Sequence, residues 1–349
     1  MTQALVLAVF LAARRHAARP APPVLLCNAI SGTPAVAATH DEGRFIIRPS
    51  ERLTGVGYTY GLAALDTPHT LLSWHRNVLS ISDDDGCSWR AAGQLAADFP
   101  PAIEPAAGGR AYAWSDNREF LARYDASGLT QLKAPGAIIG LGTDPNDGTR
   151  LRAGTGDGSI FESRDAGASW SRIGSLDTGT HAFYRFAFDP ANLDHIVAGA
   201  LADGAFVSRD GGRTWTNSRK RANVFSIAFA PTDSNVVWIE AFDIATEIKQ
   251  IELSRDGGTT FTMQLTEVPG TVTLINGALL AVHPRDPNVL YFVFGTSFQD
   301  YGTDLFRYDA RTGSLSVAHN EFDDINSIAF SRSDPGLMYL GLETQRGVF

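Results

Sequence analysis

FYRFAFDPANLDHIVAGALADGAFVSRDGGRTWTN, residues 183–217, decides the fold. Its apolar and aromatic residues come in short runs, each closed by turn-forming text. Phe183–Phe188 reads as a strand and Asp189-Pro190 as a turn. His195–Ala198 is a second strand, followed by a Gly-containing turn. Ala205–Ser208 is a third, and Thr214–Asn217 follows an Asp-Gly-Gly turn as the fourth. Four strands this close together, joined by tight turns, make an antiparallel meander.

The pattern recurs along the chain. The first strand returns as Ser226–Pro231, Leu279–Pro284 and Ser327–Arg332. The second returns as Asn235–Glu240, Asn288–Val293 and Gly336–Gly341. The turn before the fourth strand is the sharpest marker: Ser, any, Asp, any, Gly, any, Ser or Thr, aromatic. It reads SDDDGCSW at Ser82–Trp89, SRDAGASW at Ser163–Trp170, SRDGGRTW at Ser208–Trp215 and SRDGGTTF at Ser254–Phe261. The weaker text RYDA at Arg123–Ala126 and Arg307–Ala310 marks two further copies. The aspartates thus fall about 40 to 53 residues apart, a spacing that signals a repeat architecture. Asp accepts backbone hydrogen bonds in such a turn, Gly takes a positive φ, and the aromatic buries beside a neighbouring strand. The structural set is therefore Asp84, Gly86 and Trp89; Asp165, Gly167 and Trp170; Asp210, Gly212 and Trp215; and Asp256, Gly258 and Phe261.

With no amphipathic helix in the pattern, one four-stranded unit per repeat predicts an all-β fold, a β-propeller. Seven blades are expected, and six if the RYDA copies mislead. The last unit runs out at Gly347-Val348-Phe349, aligned with a third strand, and Arg44–Arg48 (RFIIR) is expected to supply the missing outer strand. Such closure removes open sheet edges.

The four turn motifs resemble the Asp box, or bacterial neuraminidase repeat. The resemblance covers roughly residues 45 to 349. It occurs in sialidases, xyloglucanases, sortilin-type receptor domains and photosystem assembly-factor propellers, and it implies fold far more than function. In that superfamily the boxes are structural and lie on the rim away from the ligand face, so the resemblance implies that these aspartates are not catalytic. Its small single-domain members include exported proteins that act on a protease.

Composition narrows the partners. The 349 residues carry 29 Lys and Arg against 38 Asp and Glu, a net charge of −9. That balance argues against nucleic acid, which needs clustered cations. No metal-ligand cluster, phosphate loop or nucleophile elbow is present in the text, so no cofactor and no metal are expected. Ala4–Ala13 is an apolar run too short for a membrane span but suited to an export signal. A second layout uses Arg14, Arg15 and Arg19 with cleavage after Ala35-Val36-Ala37. Either way residues 1–37 are expected to be an export signal or disordered leader, and 38–349 a single, monomeric, secreted or periplasmic domain. The two cysteines, Cys27 and Cys87, leave alternatives open: a disulfide that export would permit, or loss of Cys27 on cleavage.

Two function classes follow. A non-catalytic propeller would bind a protein through loops of one face, those joining second to third strands and outer strands to the next inner strand. The candidates there are His75, Arg76, Arg118, His181, Arg221, Gln299, Asp300, Tyr301, Gln345 and Arg346. Arg185 is added as a long cation on an inner strand, expected to pair with a carboxylate as a channel plug or to bind an anion; flanking small residues such as Gly140, Gly142 and Ser327 are expected to face the channel. His69, His195, His283 and His319 sit near turns and read as structural. The alternative is a glycoside hydrolase acting on polysaccharide. Sialidase-like enzymes need an Arg triad, a Tyr–Glu pair and an acidic residue, and the resemblance leads one to expect Arg-Ile-Pro where this chain has Ile47-Arg48-Pro49.

Overall fold

The computed structural model describes residues 27–32, 35–51, 57–97, 99–268, 272, 274, 277, 279–294, 303–320, 325–332 and 334–342. Among them there is no helix. The strands form four sheets of four, one of seven and one of three, every named pairing antiparallel and between strands consecutive in space. This is the β-propeller the repeat predicts.

The deciding stretch folds as read, with one instructive shift. Its strands are Phe183–Asp189, Asn192–Ala200, Gly204–Ser208 and Thr216–Arg219. The fourth starts two residues later than expected because Thr214 is held in the turn. Its N–H and hydroxyl both donate to Asp210, at 2.9 and 2.6 Å. The seven-stranded sheet is two such units joined by one long strand, Gly128–Thr143. Its first part pairs with Arg118–Asp125 and its end with Leu151–Thr155. No turn interrupts it, so one strand serves as the outer edge of one unit and the inner edge of the next.

The Ser-x-Asp turns share one hydrogen-bond network. Ser82, Ser163, Ser208 and Ser254 donate to their aspartates at 2.8 to 2.9 Å. Each serine oxygen also accepts the N–H of the turn glycine, at 2.8 to 2.9 Å. The glycines Gly86, Gly167, Gly212 and Gly258 have φ of 85°, 83°, 87° and 84°, where a side chain is strained. A Cβ on any of them would come 2.7 to 2.8 Å from Tyr339, Leu132, Ile160 or Val197 respectively, each in the preceding unit. The aromatics join cores shared with the preceding unit: Trp89 lies in the cluster that holds Tyr339, and Trp170, Trp215 and Phe261 pack against the clusters that hold Leu121, Ile160 and Val197 respectively. Each turn thus staples its unit to the one before. The RYDA turns occupy the same place but bond differently: Asp125 accepts from Ser127, and Asp309 from Arg311.

Ring closure differs from the sequence reading. The tail Gly347–Phe349 lies outside the described residues. The strand beside Met338–Leu342 is instead Val36–Thr39, and Ile47 bridges to Ala38 on its far side. RFIIR therefore does lie outermost, but an unforeseen strand precedes it. The expected leader boundary, between Ala37 and Ala38, falls inside that strand, where Val36, Ala37 and Ala38 are all buried. A fifth Ser-x-Asp-type turn links the two. Thr39 donates to Asp41 at 2.9 Å, and Gly43 and Phe45 return the pattern through their N–H groups at 2.9 and 2.8 Å. Cys27 and Cys87 are disulfide-bonded, tying this segment to the 61–94 sheet. Glu42 accepts from the Tyr291 hydroxyl at 2.9 Å and Arg307 Nε at 2.7 Å, tying it to the 280–320 sheet.

At Gly140, Gly142 and Ser327 the side-chain direction is toward a neighbouring sheet. A Cβ on Gly140 would meet the Phe186 carbonyl, and one on Gly142 the Phe188 side chain. The buried Ser327 hydroxyl donates to the Thr59 carbonyl. The reason is geometric: a radial sheet presents its two faces to its neighbours and only its edge to the axis.

Candidate functional site

Two surfaces meet the channel, one at each end. On the face of the second-to-third loops, an aromatic strip joins the first two units. Tyr58 and Tyr60 stack at 5.9 Å between ring centroids, and Tyr60 and Phe99 at 5.7 Å. The Arg118 guanidinium lies 5.9 Å from the Phe99 centroid, a cation–π distance. Phe99 is 37% exposed and Arg118 is exposed, so the strip is open to a partner.

Three sequence candidates assemble here. Arg118 follows Asn117, whose φ of 52° turns the hairpin tightly. His75 and Arg76 lie against the Gly57 backbone, where a Cβ would come within 2.8 to 2.9 Å of both side chains. Arg76 has a φ of 55°, a left-handed hairpin position. His75 Nδ1 pairs with the Thr59 hydroxyl at 2.9 Å. Burial, with Arg76 beside it, pushes the imidazole down to about 4. His75 is thus neutral at physiological pH and positions the strip rather than charging it.

Arg185 joins from the next side. Its guanidinium lies 3.6 Å from Asp116 and 5.6 Å from the Trp114 ring centroid. The expected carboxylate contact is thus present, made with a loop residue adjacent to Asn117. Tyr184 points the other way, to Phe225 at 4.6 Å, as strand alternation requires. His181 pairs with Asp177 at 3.0 Å, both exposed. Arg221 is exposed in a left-handed turn with φ 57°. Neither touches the strip among the described contacts. Gln299, Asp300, Tyr301, Gln345 and Arg346 lie outside the described residues.

Sequence reasoning missed Tyr58, Tyr60 and Phe99. Its cue is charge in the loops, whereas Phe99 sits before Pro100-Pro101, where an aromatic beside prolines is the available signal. It also placed His195 correctly: the buried ring bridges Asp189 at 2.9 Å and the Gly257 carbonyl at 2.8 Å.

At the other end, a cavity of about 720 Å³ opens on the face of the first-to-second turns. Its walls include Leu62, Ile103, Phe188 and Phe330, with Glu104 and Arg332 on the lining. None of the loop-face candidates lines it. Among the described residues no cluster of three metal-ligating side chains occurs, and no helix is long and apolar enough to cross a membrane.

The chain is 43% identical over 333 residues to dispase autolysis-inducing protein of Streptomyces mobaraensis, covering 91% of this chain and 88% of that protein. The chain belongs to the dispase autolysis-inducing protein family. No known family profile matches it. Among solved structures it is similar to YCF48 from Cyanidioschyzon merolae, with a TM-score of 0.60 and 12% identity over 83% of this chain and 97% of that one. It is also similar to YCF48 bound to a D1 peptide, with a TM-score of 0.56 and 14% identity over 90% and 98%. At such identities these two likenesses concern the propeller fold alone.

Proposed function

We propose that this chain is an exported, non-catalytic, seven-bladed propeller whose loop face binds another protein, and that the partner is a protease of the dispase kind whose self-cleavage it promotes. The observation that carries the binding surface is the open Tyr58–Tyr60–Phe99–Arg118 strip. Aromatics and Arg are enriched at the energetic centres of protein interfaces: rings bury large area with few rotors to freeze, and Arg adds a planar fork of donors. The relative's name supports the protease, and the disulfide suits an oxidising compartment.

The test mixes the purified chain with dispase and follows the loss of intact protease, alongside calorimetric titration under protease inhibition. Wild type is expected to bind and to hasten autolysis. Phe99→Ala with Arg118→Ala is expected to weaken binding at least about tenfold, or ~1.4 kcal/mol, with an unchanged melting temperature. Wild-type-like binding by the folded double variant would remove the strip from the account.

A further inference from the structure

The cavity on the opposite face holds an arrangement that the loop-face reading does not use. Six charged residues line it: Asp66, Glu104, Asp144, Asp189, Arg285 and Arg332. The three aspartates are committed to their own turns. Asp66 accepts the N–H groups of Gly108 and Gly109, both at 2.7 Å. Asp144 accepts those of Asn146 and Asp147, and the Arg150 guanidinium. Asp189 accepts the Ala191 N–H and holds His195. Their oxygens are taken up by fixed donors within those turns.

The other three are available. The Glu104 carboxyl has no hydrogen-bond partner among the described residues, and the residue keeps part of its surface open to the cavity. The exposed Arg285 has no side-chain partner among them either. Arg332 gives only its Nε, at 3.3 Å, to the Ala64 carbonyl. Around these groups the wall is apolar, from Leu62, Ile103, Ile328 and Phe330, and prolines such as Pro190 and Pro284 stiffen the turns. The volume is of the size that encloses a small organic molecule.

We propose that this cavity is a second binding site, for a small organic carboxylate with an apolar body. Arg285 and Arg332 present forked donors suited to a carboxylate. The apolar wall takes the body. Burial pushes the Glu104 carboxyl up to about 8, against the opposing pull of Arg332, so at neutral pH it is protonated. A protonated Glu104 donates a hydrogen bond to the ligand's oxygen; an ionised one repels it. This site is independent of the loop-face proposal.

Titration with 4-phenylbutyrate, using 4-phenylbutylamine as the cationic control, tests it at pH 6.5 and pH 9. The carboxylate is expected to bind at pH 6.5 and at least about tenfold more weakly at pH 9. Arg285→Ala and Arg332→Ala are each expected to weaken it about tenfold. Glu104→Gln, which keeps a neutral donor, should retain binding at pH 6.5 and lose the decline at pH 9. The proposal is overturned by absence of carboxylate binding at millimolar concentration. It is equally overturned by preference for the amine with loss in Glu104→Gln, or by a pH dependence that survives in Glu104→Gln.

Discussion

The rim turns and the loop face on the other side of the ring use the same kinds of residue to opposite ends. At the rim, each Ser-x-Asp turn closes its polar groups on one another: hydroxyl to carboxylate, N–H to hydroxyl, N–H to carboxylate. On the loop face, Phe99 and Arg118 are exposed, and the Arg118 side chain bonds only the neighbouring Asn117 carbonyl among the described contacts. A saturated polar network has nothing left to offer a partner and holds the fold. A stiff platform of rings with an open cation is built to be covered. Changes at the rim should therefore act on stability alone, and changes at the strip on binding alone.

Acid provides the largest expected effect, because it strikes every turn together. The carboxyls of Asp165 and Asp210 lie at about 2, below their ordinary value. For Asp165 the Ser169 hydroxyl and N–H are the main cause; for Asp210 burial opposes ionisation and the Thr214 hydrogen bonds overcome it. Asp84 and Asp256 are lowered in the same way. A carboxyl depressed on folding stabilises above its unfolded pKa, and that contribution is lost as pH falls through the folded value. Circular dichroism should show cooperative loss of structure between about pH 4 and pH 2. Stability that stays flat across that window would mean the networks contribute little.

Single rim changes come next. Asp210→Ala leaves the Thr214 and Ser208 donors without their acceptor, so chemical denaturation should show a loss of about 2–4 kcal/mol. Binding to the partner should not change below the melting point. Asp41→Ala, in the closing turn, should cost about 1–2 kcal/mol. It loses less because Phe45 stands where the other turns have a second hydroxyl. A loss matching that of Asp210→Ala would place more of the ring's stability in the closing segment. Smallest is Trp170→Phe. The Trp170 indole nitrogen is buried with no partner among the described residues, whereas Trp215 donates to the Gly212 and Ser175 carbonyls at 3.0 Å. Trp170→Phe should be within about 0.5 kcal/mol of wild type and Trp215→Phe about 1 kcal/mol less stable.

The propeller was legible because its turns carry chemistry in fixed order. Four copies of Ser-x-Asp-x-Gly specify local hydrogen bonds that need no distant partner, so the text and the geometry coincide. The closing turn obeys the same rule, yet it hides in Thr39-His40-Asp41-Glu42-Gly43-Arg44-Phe45, where Thr replaces Ser and Phe takes the hydroxyl position. The pairing of Val36–Thr39 with Met338–Leu342 spans nearly the whole chain, a contact no local pattern announces. The candidate site was half legible. His75, Arg76 and Arg118 were found because hairpin loops on one face follow from strand order alone. Tyr58, Tyr60 and Phe99 were not, because their stacking depends on how two units meet. Glu104 was invisible for a related reason: Ile103-Glu104-Pro105 reads as ordinary strand alternation until neighbouring inner strands enclose it.

Hydrogen–deuterium exchange of the chain, with and without inhibited dispase, tests the central division most directly. Slowed exchange confined to residues 57–61, 99–101 and 115–118, with the turns at 82–89, 163–170, 208–215 and 254–261 unchanged, is the predicted result. Slowed exchange centred on those rim turns, with the strip unaffected, would contradict it.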